Sequence, residues 1–184
     1  MLVRKLQEEF PWTTSQTESR SPGIHLTDVI HAIGETIYHT QGQVTDEEVR
    51  LQWEKGYLWE VALSRAFGEK AAIRIGEVEL DGVIGSPDGI NYDGNGNLYV
   101  EEYKATAFSS SKTPADVWKW VMQAKGYCKM VGALKCVFRV LYIRDIGRTD
   151  DAYGVFEFTF TQAELDENWV AIVGQAKVMR RGLT

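Results

Sequence analysis

A tight-turn tetrad, Asp93-Gly94-Asn95-Gly96, sits between two stretches that alternate apolar and polar residues. Glycine and asparagine tolerate the positive φ angles that a hairpin needs at its tip, so the chain is expected to double back there. With the reversal centred on Asn95, Asp88 of Ser86-Pro87-Asp88-Gly89 and Glu102 of Glu102-Tyr103-Lys104 each stand seven residues from it and oppose one another. Opposed side chains have Cβ atoms about 4.5–5.5 Å apart. Side chains alternate along a strand, so Lys104 shares the face of Glu102, while Glu101 and Tyr103 point to the other side.

Two opposed carboxylates repel. In an exposed pair, removing one relieves about 0.2–1 kcal/mol, so Asp88→Ala or Glu102→Ala is expected to leave the fold intact or slightly more stable. A divalent cation between them resolves the repulsion, and hard oxygen ligands suit Mg²⁺ or Mn²⁺. The plain alternative is a solvated surface hairpin in which Lys104 forms a salt bridge.

Composition narrows the function classes. With 184 residues, 44% of them hydrophobic, and 6 Trp, 8 Tyr and 7 Phe, the chain is expected to build one core. The expected organisation is an irregular arm over 1–24 followed by a single domain over 25–184. No run of 18 apolar residues is present to span a membrane, and the N-terminal stretch lacks the apolar core of a signal peptide. Cys128 and Cys136 make neither a disulfide framework nor a four-cysteine cluster, which is the pattern of a cytoplasmic protein with reduced thiols. A net charge of −6 argues against a nonspecific nucleic-acid coat. A local basic surface remains available from Lys112, Lys119, Lys125, Lys129, Lys135 and Arg139, with a solvated helix face as the bland reading.

Periodicity orders the rest. A first helix is expected from after Thr27 to Tyr38, and the capping box Thr45-Asp46-Glu47-Glu48 opens a second that runs to Phe67. Strand patterns follow over Ala72–Leu80, Gly82–Asn91 and Asn97–Thr106. Thr113-Pro114 places an N-cap and a first-turn proline before a helix to Gly132. Cys136–Arg144 and Tyr153–Thr161 read as strands, and the capping box Thr161-Gln162-Ala163-Glu164 opens a C-terminal helix. The order ααβββαββα implies an α/β fold, a mixed sheet of about five strands flanked by helices.

Two helical constellations add polar groups. Gly56 and Glu60 share a face of the second helix, with Leu51, Leu58 and Ala62 on another side as its core contact. Gln123 and Tyr127 stand one turn apart on the helix after the hairpin, an amide beside a phenol, both able to bond a phosphate or a bound water.

Taken in order, G-x-x-x-E on a helix, P-D, E-x-K across a hairpin and Q-x-x-x-Y on the next helix resemble the PD-(D/E)XK nuclease superfamily. The resemblance spans about Thr45 to Val140 and is closest to the RecB-like and lambda-exonuclease-like branch, which includes phage recombination exonucleases. It implies a restriction-endonuclease-like α/β/α core and Mg²⁺- or Mn²⁺-dependent hydrolysis of DNA phosphodiester bonds. It further implies an exonuclease of recombination or repair, phage-encoded and acting in the host cytoplasm. A structure-specific or restriction-like endonuclease and an inactive nucleic-acid-binding module on the same fold are the alternatives. Asp88, Glu102 and the Tyr103 carbonyl would then ligate the metal, with Glu60 binding or orienting a metal-bound water or second ion. Lys104 would orient the attacking water, and Gln123 and Tyr127 would position the lysine, the water or the phosphate. The chain lacks the histidine that some members carry on the second helix. It also lacks the four cysteines of the iron–sulfur relatives, so no cluster is expected. Whether it forms a homo-oligomer or works with a recombination partner protein stays open.

Overall fold

In the computed structural model, residues 21–38, 56, 58–59, 61–62, 65–66, 72–148 and 150–182 are described. A short strand, β1 (Ile24–His25), runs directly into helix α1 (Leu26–Tyr38). Strands β2 (Val78–Leu80), β3 (Val83–Gly85), β4 (Gly89–Tyr92) and β5 (Leu98–Thr106) follow. Helix α2 (Trp118–Val131), strands β6 (Lys135–Tyr142) and β7 (Tyr153–Thr159) and helix α3 (Gln162–Gly182) complete the order. The strands form two mixed sheets, β1-β3-β2 and β4-β5-β6-β7. The architecture is therefore α/β with helices flanking mixed sheets, as the element order implied, but the strands divide between two sheets where one of about five strands was expected.

One boundary differs in a way that matters for the site. The strand expected over Gly82–Asn91 is divided at Ser86-Pro87-Asp88 into β3 and β4, which lie in different sheets. Proline has no amide proton for a ladder, so the pairing stops there. Upstream, β2 keeps only the last part of the strand expected over Ala72–Leu80, with Ile73 making an isolated bridge to Ile90. Asp81 and Gly82 turn β2 into β3 with φ of 51° and 73°, the left-handed pair of a tight hairpin. Trp169 Nε1 and the Arg180 guanidinium, both on α3, hold that turn.

The core lies between the helices and one face of the larger sheet. Val29 of α1, Ala124 and Cys128 of α2 and Ile172 and Ala176 of α3 are fully buried with Val100, Cys136, Phe138 and Val140 of β5 and β6. Two of the three expected caps form: Asp116 accepts from the Thr113 amide and hydroxyl, and Glu164 does the same for Thr161, while the capping box at Thr45 lies outside the described residues. In front of α2 the chain first makes a short 3₁₀ turn, Pro114–Asp116, and Gly132 ends α2 in the left-handed conformation. No helix among the described residues is long and apolar enough to cross a membrane.

Candidate active site

The hairpin register is the one its turn dictates. Asp93 Oδ1 accepts from the Asn95 and Asn97 amides, Gly96 takes φ 81°, and Gly89 pairs with Glu101 across the ladder. One step further along, Asp88 comes opposite Glu102. Freed from the ladder by Pro87, Asp88 turns its carboxylate to β5 and accepts the Tyr103 amide at 2.6 Å through Oδ2.

Glu102 and Lys104 point from β5 toward α2. Lys104 Nζ lies 2.6 Å from Glu102 Oε2 and 3.0 Å from Gln123 Oε1, and Gln123 Nε2 donates to the Tyr127 hydroxyl at 3.1 Å. Four of the residues that the sequence nominated thus form one continuous polar chain, Glu102–Lys104–Gln123–Tyr127, with Asp88 beside it. Gln123 is half-buried, whereas Tyr127 is packed into the core against Gly85, where an added Cβ would stand 3.0 Å from the Tyr127 ring. Tyr127 therefore anchors the chain from beneath, which leaves it to position Gln123 rather than to meet a phosphate itself.

The electrostatics follow from burial. Glu102 is 1% exposed, and burial pushes its carboxyl up to about 7 against the pull of Lys104, with Asp88 pushing the same way. Asp88 is also raised by burial, which outweighs Lys104 and the Tyr103 amide. Burial works to lower the Lys104 ammonium, but Glu102 and Asp88 outweigh it and hold it above its ordinary value. Because Glu102 is buried and ion-paired, the small gain expected for an exposed carboxylate pair does not apply to it.

One oxygen is left over. Glu102 Oε1 is buried and has no hydrogen-bond partner among the described residues. Buried acceptors are rarely orphaned, and a hard oxygen of this kind beside a second carboxylate fits a divalent cation. Among the described residues no three His, Cys, Asp or Glu side chains converge, so the carboxylate pair Asp88 and Glu102 is the donor set they offer. Mg²⁺ keeps several waters and is commonly held by one or two carboxylates, so two suffice.

Glu60, the third nominated acid, lies outside the described residues. Its neighbour Trp59 donates to the Arg139 carbonyl at 3.3 Å and meets Tyr153 edge-on, while Leu58, expected in the core, is 64% exposed. The indole is the larger apolar surface, and it takes the less exposed position.

On the far face of β5 stands a network that sequence patterning missed. Glu101, 1% exposed, accepts from Arg139 Nε at 2.8 Å and from the Tyr103 hydroxyl at 3.0 Å. Tyr99 and Asn91 also reach it, at 3.4 and 3.5 Å. Alternation correctly turned Glu101 away from Lys104, but not into solvent. A signal was present: Arg139 interrupts the apolar run of β6 at the register position of Tyr103. The expected basic surface is correspondingly reduced, because Lys125, Lys129 and Lys135 pair with Glu164, Asp166 and Glu157. The two cysteines are buried on α2 and β6, and burial pushes the Cys128 thiol up to about 12.

No family model and no curated protein matches the chain. Among solved structures it is similar to a phage-related exonuclease from Haemophilus somnus 129PT, with 12% identity and a TM-score of 0.56, over 88% of this chain and 94% of that one. It is also similar to the alkaline exonuclease LHK-Exo from Laribacter hongkongensis, with 14% identity and a TM-score of 0.54, over 93% of this chain and 98% of that one. LHK-Exo in complex with dAMP aligns at 14% identity and a TM-score of 0.54, over 88% and 93% of the two chains. At these identities the likeness is one of fold: the chain shares the α/β fold of these exonuclease structures.

Proposed function

We propose that this chain is a Mg²⁺- or Mn²⁺-dependent deoxyribonuclease, an exonuclease of recombination or repair, phage-encoded. The observation that carries the reading is Glu102, buried with one oxygen on Lys104 and the other without a hydrogen-bond partner among the described residues, across the hairpin from Asp88. The exonucleases that share the fold, one of them in complex with dAMP, support it. Asp88 and Glu102, with the Tyr103 carbonyl and Glu60 as further ligands, would hold the metal. When bound, the metal polarises the phosphate and lowers the pKa of a water.

Lys104 carries the remaining electrostatics. An ammonium has three donors, and among the described residues two are engaged, by Glu102 and Gln123. The third is left for the attacking water or a non-bridging phosphate oxygen, where a fixed positive charge stabilises the negative charge that builds in line. Gln123 keeps the ammonium aimed, and Tyr127 keeps the Gln123 amide from rotating.

Digestion of linear and circular DNA with Mg²⁺ or Mn²⁺, by wild type and Asp88→Ala, tests the reading. Wild type is expected to degrade only the linear form and the variant neither. Cleavage of circles moves the assignment to an endonuclease, and binding without cleavage of either form to an inactive module.

A further inference from the structure

We propose that Phe108 and Trp120, with the Lys112 ammonium over the Phe108 ring, form a stacking platform for an unpaired nucleobase. The proposal rests on the nuclease reading and adds to it the strandedness of the DNA held beside Lys104. Position is the first argument. Phe108 follows Lys104 by four residues, about 13 Å at a strand's rise, where the chain leaves β5. Trp120 lies three residues before Gln123 on α2, and Gln123 is bonded to Lys104. The two rings meet at 6.1 Å between centroids, tilted by 43°.

The patch is charged for a nucleotide. Phe108 is 39% exposed, and Lys112 Nζ stands 4.7 Å from its ring centroid. Lys125, Lys129, Lys135 and Arg139 all have carboxylate partners, and Lys112 and Lys119, like Lys125 and Lys135, lie over aromatic rings. The nearby acids are engaged with the backbone: Asp116 takes the Thr113 amide and Asp145 the Ser110 amide. A cation over an exposed ring is a weak contact, readily exchanged for a base on the ring and the ammonium on the adjoining phosphate.

The loop that presents Phe108 is also built. The Phe108 amide donates to Thr106 Oγ1 at 3.1 Å, Ser110 N to Asp145 Oδ2 at 2.6 Å and Lys112 N to the Ser109 carbonyl at 3.0 Å. The Tyr142 hydroxyl donates to the Lys112 carbonyl at 2.5 Å. The ring is thus held at the surface ahead of binding, which reduces the ordering cost. Bases inside a duplex have both faces covered by neighbours, so an exposed ring selects a base at an unpaired end.

A single-stranded oligonucleotide carrying 2-aminopurine at its end, titrated in chelator so that nothing is cleaved, reads stacking as fluorescence quenching. Wild type is expected to quench it. Phe108→Ala, with its melting temperature checked, is expected to lose the quench and to bind about tenfold more weakly or worse, and Phe108→Trp to restore both. Equal affinity and quenching in Phe108→Ala overturn the platform. Metal is then added to wild type with linear DNA. Cleavage alongside a quench that ignores Phe108 sinks the platform alone. A Phe108-dependent quench with no cleavage supports the platform and sinks the nuclease reading.

Discussion

The Tyr103 amide donates to Asp88 Oδ2 at 2.6 Å, so the strand that carries Glu102 and Lys104 also fixes the carboxylate opposite them. The site is therefore rigid in one direction: displacing β5 displaces all three groups together. The Tyr103 hydroxyl ties the same residue to Glu101 on the other face of the sheet.

Asp88→Ala and Glu102→Ala are both expected to abolish hydrolysis, but their stabilities should diverge. Glu102→Ala leaves Lys104, 15% exposed, without its ion partner, and breaking a buried pair costs about 3–5 kcal/mol. Asp88→Ala removes a carboxylate that raises Glu102 and should cost less. Urea denaturation of the two variants compares them, and equal losses would contradict the pairing.

The raised Glu102 carboxyl gives metal-free protein a pH signature. Its folded value of about 7 exceeds the ordinary 4.5, so its stabilising contribution is complete below 4.5 and is lost as pH rises through 7. A cation competes with that proton, so metal affinity should rise across the same window and level off above it. Calorimetric titration of wild type and Glu102→Gln checks both slopes, which should shrink in the variant to the part contributed by the Asp88 carboxyl, itself raised by burial.

Metal should stabilise the fold by mass action, about 2.7 kcal/mol at a hundredfold excess over the dissociation constant. Thermal melts of chelator-treated protein with added Mg²⁺ or Mn²⁺ measure it. A melting temperature that ignores both ions would count heavily against a preformed site.

Gln123→Ala should reduce kcat strongly with a stability loss of about 2–4 kcal/mol, since one neutral bond and one bond to an ammonium disappear from a half-buried position. Tyr127→Phe should show the same order of effect on stability and a smaller one on turnover, because it touches Lys104 only through Gln123. Melting curves and single-turnover rates on both variants separate the two.

Glu101→Ala, which strand alternation alone would rank as mild, should rank among the most destabilising changes. The loss is expected near 3–5 kcal/mol, with Arg139 deprived of its carboxylate at 18% exposure. A double-mutant cycle with Arg139→Gln should return a large coupling energy; additivity would dissolve the network.

The local sequence fixed the hairpin and its register, because a turn of Asp, Gly and Asn residues allows few backbone solutions and alternation then assigns every face. The capped turns at Thr113 and Thr161 were likewise local, each set by a side chain reaching back within its own first turn, although after Thr113 the α-helix itself begins only at Trp118. Gln123 and Tyr127 were legible as neighbours on one helix, but their connection to Lys104 depends on how α2 lies across β5. Burial is the property that only the tertiary structure decided. Whether Glu101 and Glu102 meet water or a buried cation depends on residues 2 to 38 positions away in the chain, Lys104 for one and Arg139 for the other. The break at Pro87 belongs to both levels: proline removed the ladder bond, and the second sheet gave β3 somewhere else to pair.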